Sequence, residues 1–380
     1  MDFEITEEQE AMRDLAAKYA AKTIAPIHEQ DEAEGRFRLE LVKEMATLGF
    51  WGTIIPEEYG GTNAGFLSAV LITEEISKIS PAYAGHILTQ AAGTGLTILH
   101  HGTKEQKEKY IPSLVMADLL GCFAATEPDA GSDVASMRMR ADEGDEGFLL
   151  NGTKNWITNA PDADIGLIFA YTSREKKHHG ISCFLVHLKN HPGIETRATG
   201  KLGQRCSRVG EILFTDAMVP RDALLGDKGR GFQILMQLLS NTRLFAAARA
   251  LGLEKACIDK SIAYARTREQ FGKPIGQFQM IQEQIAEMYI NHEAARTLVY
   301  QTALNKDRGS RNPLEVSVAK YFACESAVHA ADTAMKIHGA YAYAMEYPIQ
   351  RYLRDSRAFI ITEGSSNIQK LIVAKQLFGS

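Results

Sequence analysis

The sequence predicts an α+β multidomain protein: an N-terminal helical domain, a middle antiparallel, β-barrel-like domain and a C-terminal four-helix bundle. Three observations predict it. Apolar side chains recur at helical spacing through the first 115 or so residues. Between about 120 and 225 the period changes to short apolar runs separated by Gly, Asp, Asn and Pro. From Gly231 helical spacing returns and persists. Strands never alternate with helices, so a doubly wound nucleotide fold is excluded. The expected domains are 1–117, 118–227 and 228–380.

Each element has a local cause. Met12, Leu15, Ala16, Tyr19 and Ala20 form a helical stripe entered through a capping box of Thr6 and Gln9. Leu39, Val42, Met45 and Leu48 make a second stripe that stops at Gly49, and residues 66–79 and 84–100 read as long apolar helices. Thr103 with Gln106 opens another. Strands are expected at 148–150, 165–171, 181–186 and 212–214. The dipeptide Asn151-Gly152 between two β-prone runs is a hairpin signal. Breaks near 272–274, 309–313, 339 and 364 divide the last third into helical segments, and four such helices suggest a bundle.

Composition narrows the function. A 380-residue chain that is 45% hydrophobic can bury more than one core. A net charge of −5 leaves no electrostatic footprint for nucleic acid or an anionic membrane, and no span long and apolar enough for a bilayer is present. The five cysteines are scattered without Cys-x-x-Cys spacing, so neither a disulfide framework nor a metal site is expected. The acidic N-terminus does not read as a secretory or transit signal, so a cytoplasmic, bacterial location is expected. Gly226-x-x-Gly229-x-Gly231 has the wrong spacing for a nicotinamide site and reads as a turn into a helix.

The chemistry centres on residues 361–370, where an apolar run delivers the chain to Glu363 and Gly364 permits a sharp turn. Ser365 or Ser366 can cap the helix beyond. Desolvation would raise the Glu363 pKa towards the range of a general base, although a Glu that merely caps its helix reads equally well from this decapeptide alone.

The decapeptide resembles the Glu-Gly-Thr-Ser-x-Ile-Gln segment of acyl-CoA dehydrogenases, with Ser365 in place of Thr, and similar segments run in the family's order from Phe3 to Lys375. Pro56 to Gly61 is similar to the family's Pro-Glu-x-x-Gly-Gly loop. The resemblance implies FAD as cofactor and Glu363 as the base that removes the α-proton of an acyl-CoA while the β-hydrogen leaves as hydride to the flavin. Residues 123–133 resemble the Thr-Glu-Pro-x-Ala-Gly-Ser-Asp loop, which implies that Phe123, Ala125, Thr126, Gly131 and Ser132 meet the flavin and that Ser132 also reaches the CoA arm. Trp156 and Thr158 match residues that cover the flavin, and Arg268, Phe271 and Gln279 match those that hold the FAD of a neighbouring subunit.

By the same resemblance Lys336, Gly339, Ala340, Ser365 and Asn367 face the cofactor, and Thr242, Arg243, Thr362, Gly364 and Lys375 face the substrate. Ala340 and Ala342 stand where the family has Gly and must take negative φ, and His338 is left without a role. A second location for the base in some branches is occupied here by Thr242, which cannot serve. The resemblance places the acyl pocket among residues 83–93, 242–247 and 362; because 83–93 hold no Arg or Lys an uncharged acyl group is expected, and Ala84, Gly85 and Thr362 leave width that suits a branched or cyclic group as well as a short straight chain. A homotetramer that passes electrons to an electron-transfer flavoprotein follows from the family. An oxidase using oxygen and a catalytically silent CoA-binding scaffold are the alternatives.

Overall fold

The computed structural model describes residues 5–310 and 313–379. The first third is helical: α1 (Glu7–Tyr19), α2 (Ala25–Glu34), α3 (Leu39–Thr47), α4 (Gly65–Ser77), α5 (Pro81–His86), α6 (Leu96–His101) and α7 (Lys104–Val115). Both expected capping boxes form, with Gln9 N donating to Thr6 Oγ1 at 3.2 Å and Gln106 N to Thr103 Oγ1 at 3.2 Å. The helix expected over 84–100 is one continuous rod from α5 to α6, but Ile87–Gly95 widens into π turns. Thr94 Oγ1 donates to Thr89 O at 2.9 Å, across that wider turn. The packing there is tight: a β-carbon on Gly93 would lie 2.7 Å from the Phe123 ring.

The middle third holds β1 (Gly121–Ala124), β2 (Arg140–Glu143), β3 (Gly147–Thr158), β4 (Ile165–Tyr171), β5 (Ile181–His187), β6 (Ile194–Thr199), β7 (Val209–Pro220) and β8 (Leu224–Leu225). The strands run in the order β6-β7-β3-β2-β4-β5-β8. Most neighbours are antiparallel as expected, but β4 meets β1 and β2 in parallel along one edge, so the sheet is mixed. A clamp fixes the parallel pair: Leu120 N donates to Asp164 Oδ2 and Asp164 N to Leu120 O, each at 2.8 Å. Alternation sends Ile168, Phe184 and Val186 into a core inside the sheet, and Leu167, Phe169 and Leu185 into the core shared with the helices.

The hairpin expected at Asn151-Gly152 is not one. β3 runs straight through, paired with β7, and the register shifts between Leu150 and Gly152. Gly152 sits at φ +143°, where a β-carbon would meet Met139 at 2.9 Å. The dipeptide marks a β-bulge, because Asn151 is occupied by Asp216: Nδ2 donates to Asp216 Oδ1 and Oδ1 accepts from Asp216 N, both at 3.0 Å.

The last third comprises α8 (Gly231–Thr267), a two-residue hairpin of β9 (Glu269–Gln270) and β10 (Lys273–Pro274), then α9 (Gln279–Asp307), α10 (Pro313–His338), α11 (Ile349–Ser356) and α12 (Ser366–Phe378). Gly226 and Gly229, at φ +69° and +87°, turn the chain into α8 as expected. The break expected at 309–313 falls partly on residues 311–312 and the resemblance beginning at Phe3 starts before Ile5; both lie outside the described residues. α8 crosses α4 so closely that a β-carbon on Gly252 would lie 2.2 Å from Glu74 O. The first and last thirds therefore share one apolar core, which places α5 and α8 side by side beneath the 361–370 turn.

Candidate active site

Glu363 occupies a left-handed backbone conformation at φ +57°, followed by Gly364 at +84°. For a non-glycine residue this costs on the order of 1–2 kcal/mol, so the surroundings must hold it. Three helices do so through the carbonyls of the turn. Arg243 Nε on α8 donates to Glu363 O at 3.0 Å, and Lys320 Nζ on α10 donates to Phe359 O and Gly364 O, both at 2.8 Å. Gln369 Nε2 on α12 donates to Gly364 O at 2.9 Å and to Glu363 O at 3.2 Å. Ser365 caps α12, accepting from Ile368 N.

The carboxyl group points into the space between α8 and the turn, where Thr242 Oγ1 donates a short hydrogen bond to Oε2. The other oxygen accepts no hydrogen bond from the described residues. Burial pushes the Glu363 pKa up, opposed first by the Thr242 hydroxyl and then by the charges of Arg243, Lys320 and Arg249. Capping alone does not explain these contacts, since Ser365 already caps the helix. Thr242, which cannot itself be a base, instead steers one.

A second cluster forms at the β3 edge. Trp156 stands at φ +59° in another register shift of β3, and the residue is 58% exposed. Asn155 ties this bulge to the preceding loop by donating its backbone N–H to Thr126 O at 2.9 Å. Beneath, Lys154 is fully buried, with Nζ donating to Ala125 O at 3.0 Å and to Glu127 Oε1 at 2.8 Å. Burial pulls its pKa down to about 8, resisted by Glu127. Glu127 also accepts from Met139 N at 3.0 Å. Phe123, Thr126 and Thr158 are half-buried, and Gly131 and Ser132 are exposed.

The third set lies at the far end of the bundle. Arg268 caps α8 with its guanidinium 5.4 Å over the Tyr341 ring, and Phe271 at the β9–β10 tip is 94% exposed. Gln279 opens α9. Gly339 keeps φ +59° while Ala340 and Ala342 do not enter the positive-φ region, because residues Gly339–Tyr343 form a short helical turn. Lys336 is ion-paired with Asp332 at 2.8 Å, and His338 is a packing residue stacked on Tyr264 at 4.3 Å. Among the described residues, no hydrogen bond, ion pair or ring contact joins this set to Trp156 or Glu363.

The fold therefore brings together Glu363, Thr242, Arg243, Gly364 and Ser365, and separately Thr126 with Trp156. Thr362 turns its hydroxyl back to Ala358 O at 3.0 Å, and Asn367 and Lys375 are exposed on α12. Sequence reasoning missed Lys320, Gln369, Lys154 and Arg249. A lone Lys among the apolar residues of 316–324 was a usable signal for Lys320; contacts between distant helices gave none for Arg249. Residues 83–93 carry no Arg or Lys of their own, but the Arg249 guanidinium from α8 lies against Gly85, 3.2 Å from where a β-carbon would stand, so that segment does have a cation beside it.

Comparison with known proteins agrees across the whole length. Family models described as the N-terminal, middle and C-terminal domains of acyl-CoA dehydrogenase match residues 6–118, 122–217 and 229–378. The chain is 43% identical to a glutaryl-CoA dehydrogenase of Desulfococcus multivorans, over all of this chain and 98% of that one. It is also 43% identical to an acyl-CoA dehydrogenase of Bacillus subtilis, over 99% of each. Among solved structures, a glutaryl-CoA dehydrogenase in complex with glutaryl-CoA superposes with a TM-score of 0.98 at 43% identity, covering 100% of this chain and 97% of that one.

Proposed function

The chain belongs to the acyl-CoA dehydrogenase family, and from that premise we propose that it removes the α-proton of an acyl-CoA thioester with Glu363 while the β-hydrogen leaves as hydride. The observation that carries this reading is the Glu363 carboxyl, one oxygen bonded by Thr242 and the other free, on a turn that three helices hold in strain. A raised pKa makes it a stronger base once ionised.

FAD is the cofactor, and when bound it supplies the acceptor for that hydride. The residues fit a flat, mostly apolar ring system on one side: an exposed indole at a strained bulge, half-buried Phe123, and Thr126 and Thr158 hydroxyls at its rim. Backbone N–H groups and small residues from Gly131 to Ser132 suit its polar edge. Arg268, Phe271, Gln279, Lys336, Gly339 and Ala340 would hold the FAD of a neighbouring protomer, since they are not joined to the Trp156 cluster of their own. Ser132, Arg243 and Lys375 would meet the CoA moiety.

Electrons then pass to an electron-transfer flavoprotein rather than to oxygen. The test is anaerobic mixing of the FAD-loaded protein with acyl-CoA thioesters: bleaching of the flavin absorbance is expected, followed by recovery on adding such an acceptor. A preparation that takes up no FAD would favour a binding scaffold, and fast reoxidation by air alone would favour an oxidase.

A further inference from the structure

Two basic side chains, Arg249 and Lys201, approach the acyl-facing segment from outside it, and the segment's own His86 lies beside them. Arg249 lies on α8 seven residues beyond Thr242, roughly 10 Å further along the helix axis, and its guanidinium fills the space that Gly85 leaves open. Nε donates to Pro81 O at 2.9 Å, Nη2 donates to Gln204 Oε1, and the group lies 5.5 Å from the centre of the Phe359 ring. None of these partners is an anion, and among the described residues no carboxylate lies within ion-pair distance of it.

His86, next to Gly85, is 1% exposed, and neither ring nitrogen has a hydrogen-bond partner. Phe37 stacks on it at 5.3 Å. Burial lowers its pKa to about 3, so the ring is neutral, with one donor and one acceptor both unmatched. Lys201 stands on the loop that also carries Gln204, without a hydrogen bond or ion pair among the described residues; Arg249 repels it, while Glu32 and Asp355 attract it from a distance. After burial, the strongest influence on Arg249 is attraction to Glu363, so the guanidinium stands on the side of the base. With a pKa lowered only to about 10, it keeps its charge at neutral pH.

A buried guanidinium facing a second cation and an unsatisfied imidazole is unfavourable unless something supplies negative charge. Its planar fork matches a carboxylate in shape. We propose that Arg249, supported by His86 and Lys201, receives a terminal carboxylate on the acyl chain, so that the preferred substrate is a short dicarboxylic acyl-CoA thioester. The proposal rests on the dehydrogenation reading and names its substrate class.

Glutaryl-CoA and valeryl-CoA have the same chain length and differ at the end that Arg249 would meet. Anaerobic titration of the FAD-loaded protein should give a Kd for glutaryl-CoA at least tenfold lower than for valeryl-CoA. Arg249→Gln should abolish that preference, raising KM for the diacid far more than it lowers kcat, and Arg249→Lys should restore part of it. Equal or tighter binding of valeryl-CoA by the unmodified protein overturns the proposal and leaves the dehydrogenation reading intact. So does an Arg249→Gln variant that weakens both thioesters equally, since that marks a purely structural arginine. Should Arg249→Gln fail to fold, the two titrations of the unmodified protein decide alone. Absence of bleaching by either of these and by butyryl-CoA would overturn both readings.

Discussion

Glu363 is costly to the fold, since its left-handed φ strains the backbone and desolvation at its half-buried position disfavours the ionised side chain, raising its pKa. Replacing it with Gln keeps the shape and removes the proton acceptor. Glu363→Gln should bind FAD and thioester normally and slow flavin bleaching by on the order of 10²- to 10⁴-fold, measured by anaerobic stopped flow; full bleaching rates would place the base elsewhere. Thr242 provides a finer test. Its hydroxyl donates to the carboxyl and so favours the ionised form. Thr242→Val withdraws that donor, and the Glu363 pKa should climb further. A base must be deprotonated to act, so the acidic limb of the kcat/KM profile should move to higher pH, with activity lost first at low pH. A limb that stays in place or moves down would mean the bond has no hold on the base. At this scale the sequence was informative about Glu363 and Arg243, which sit in recognisable strings, and silent about Arg249. That side chain acts through contacts with Pro81 and Gln204, far away in sequence, which no local pattern encodes.

The same contrast holds for elements. Helices with caps and a clean period were legible, and so were the fully buried strands β4 and β5. β6 (Ile194–Thr199) was not, because its side chains are polar and largely exposed, and β1, β2 and β8 are only two to four residues long. Asn151-Gly152 carries the chemistry of a turn, but pairing with β7 along the whole strand overrides it and leaves a bulge. β3 also carries the one buried ion pair beneath the Trp156 cluster. Removing the cation alone strands the Glu127 carboxylate and releases the Ala125 carbonyl from Nζ. Lys154→Met should therefore destabilise the protein by about 3–5 kcal/mol in urea unfolding. It should also weaken FAD retention. Adding Glu127→Gln to Lys154→Met should recover part of the loss; a double variant less stable than the single one would show that the pair is not what matters.

For the whole molecule, no hydrogen bond, ion pair or ring contact among the described residues joins the two sets expected to hold FAD, and large apolar side chains of the last third stand open. Phe271 is 94%, Met280 77%, Ile290 65% and Phe378 84% exposed. Leaving that much apolar surface in water is unfavourable, and a second copy of the chain would cover it. We expect a homotetramer in which Arg268, already set over Tyr341, reaches the cofactor of its neighbour. Assembly and FAD binding are then linked: whatever binds only the assembled form stabilises it by mass action. Sedimentation velocity followed at the flavin absorbance should show colour travelling with the tetramer and lost from dissociated protein on dilution, and added FAD should shift the balance back. Phe271→Asp places a charge in the contact while leaving an exposed loop tip that no core residue depends on. That variant should sediment as a smaller species with unchanged circular dichroism and at least tenfold weaker FAD binding. A monomer that holds a full complement of flavin would show that one protomer completes its own site, and the division of the ligands into two sets would have to be abandoned.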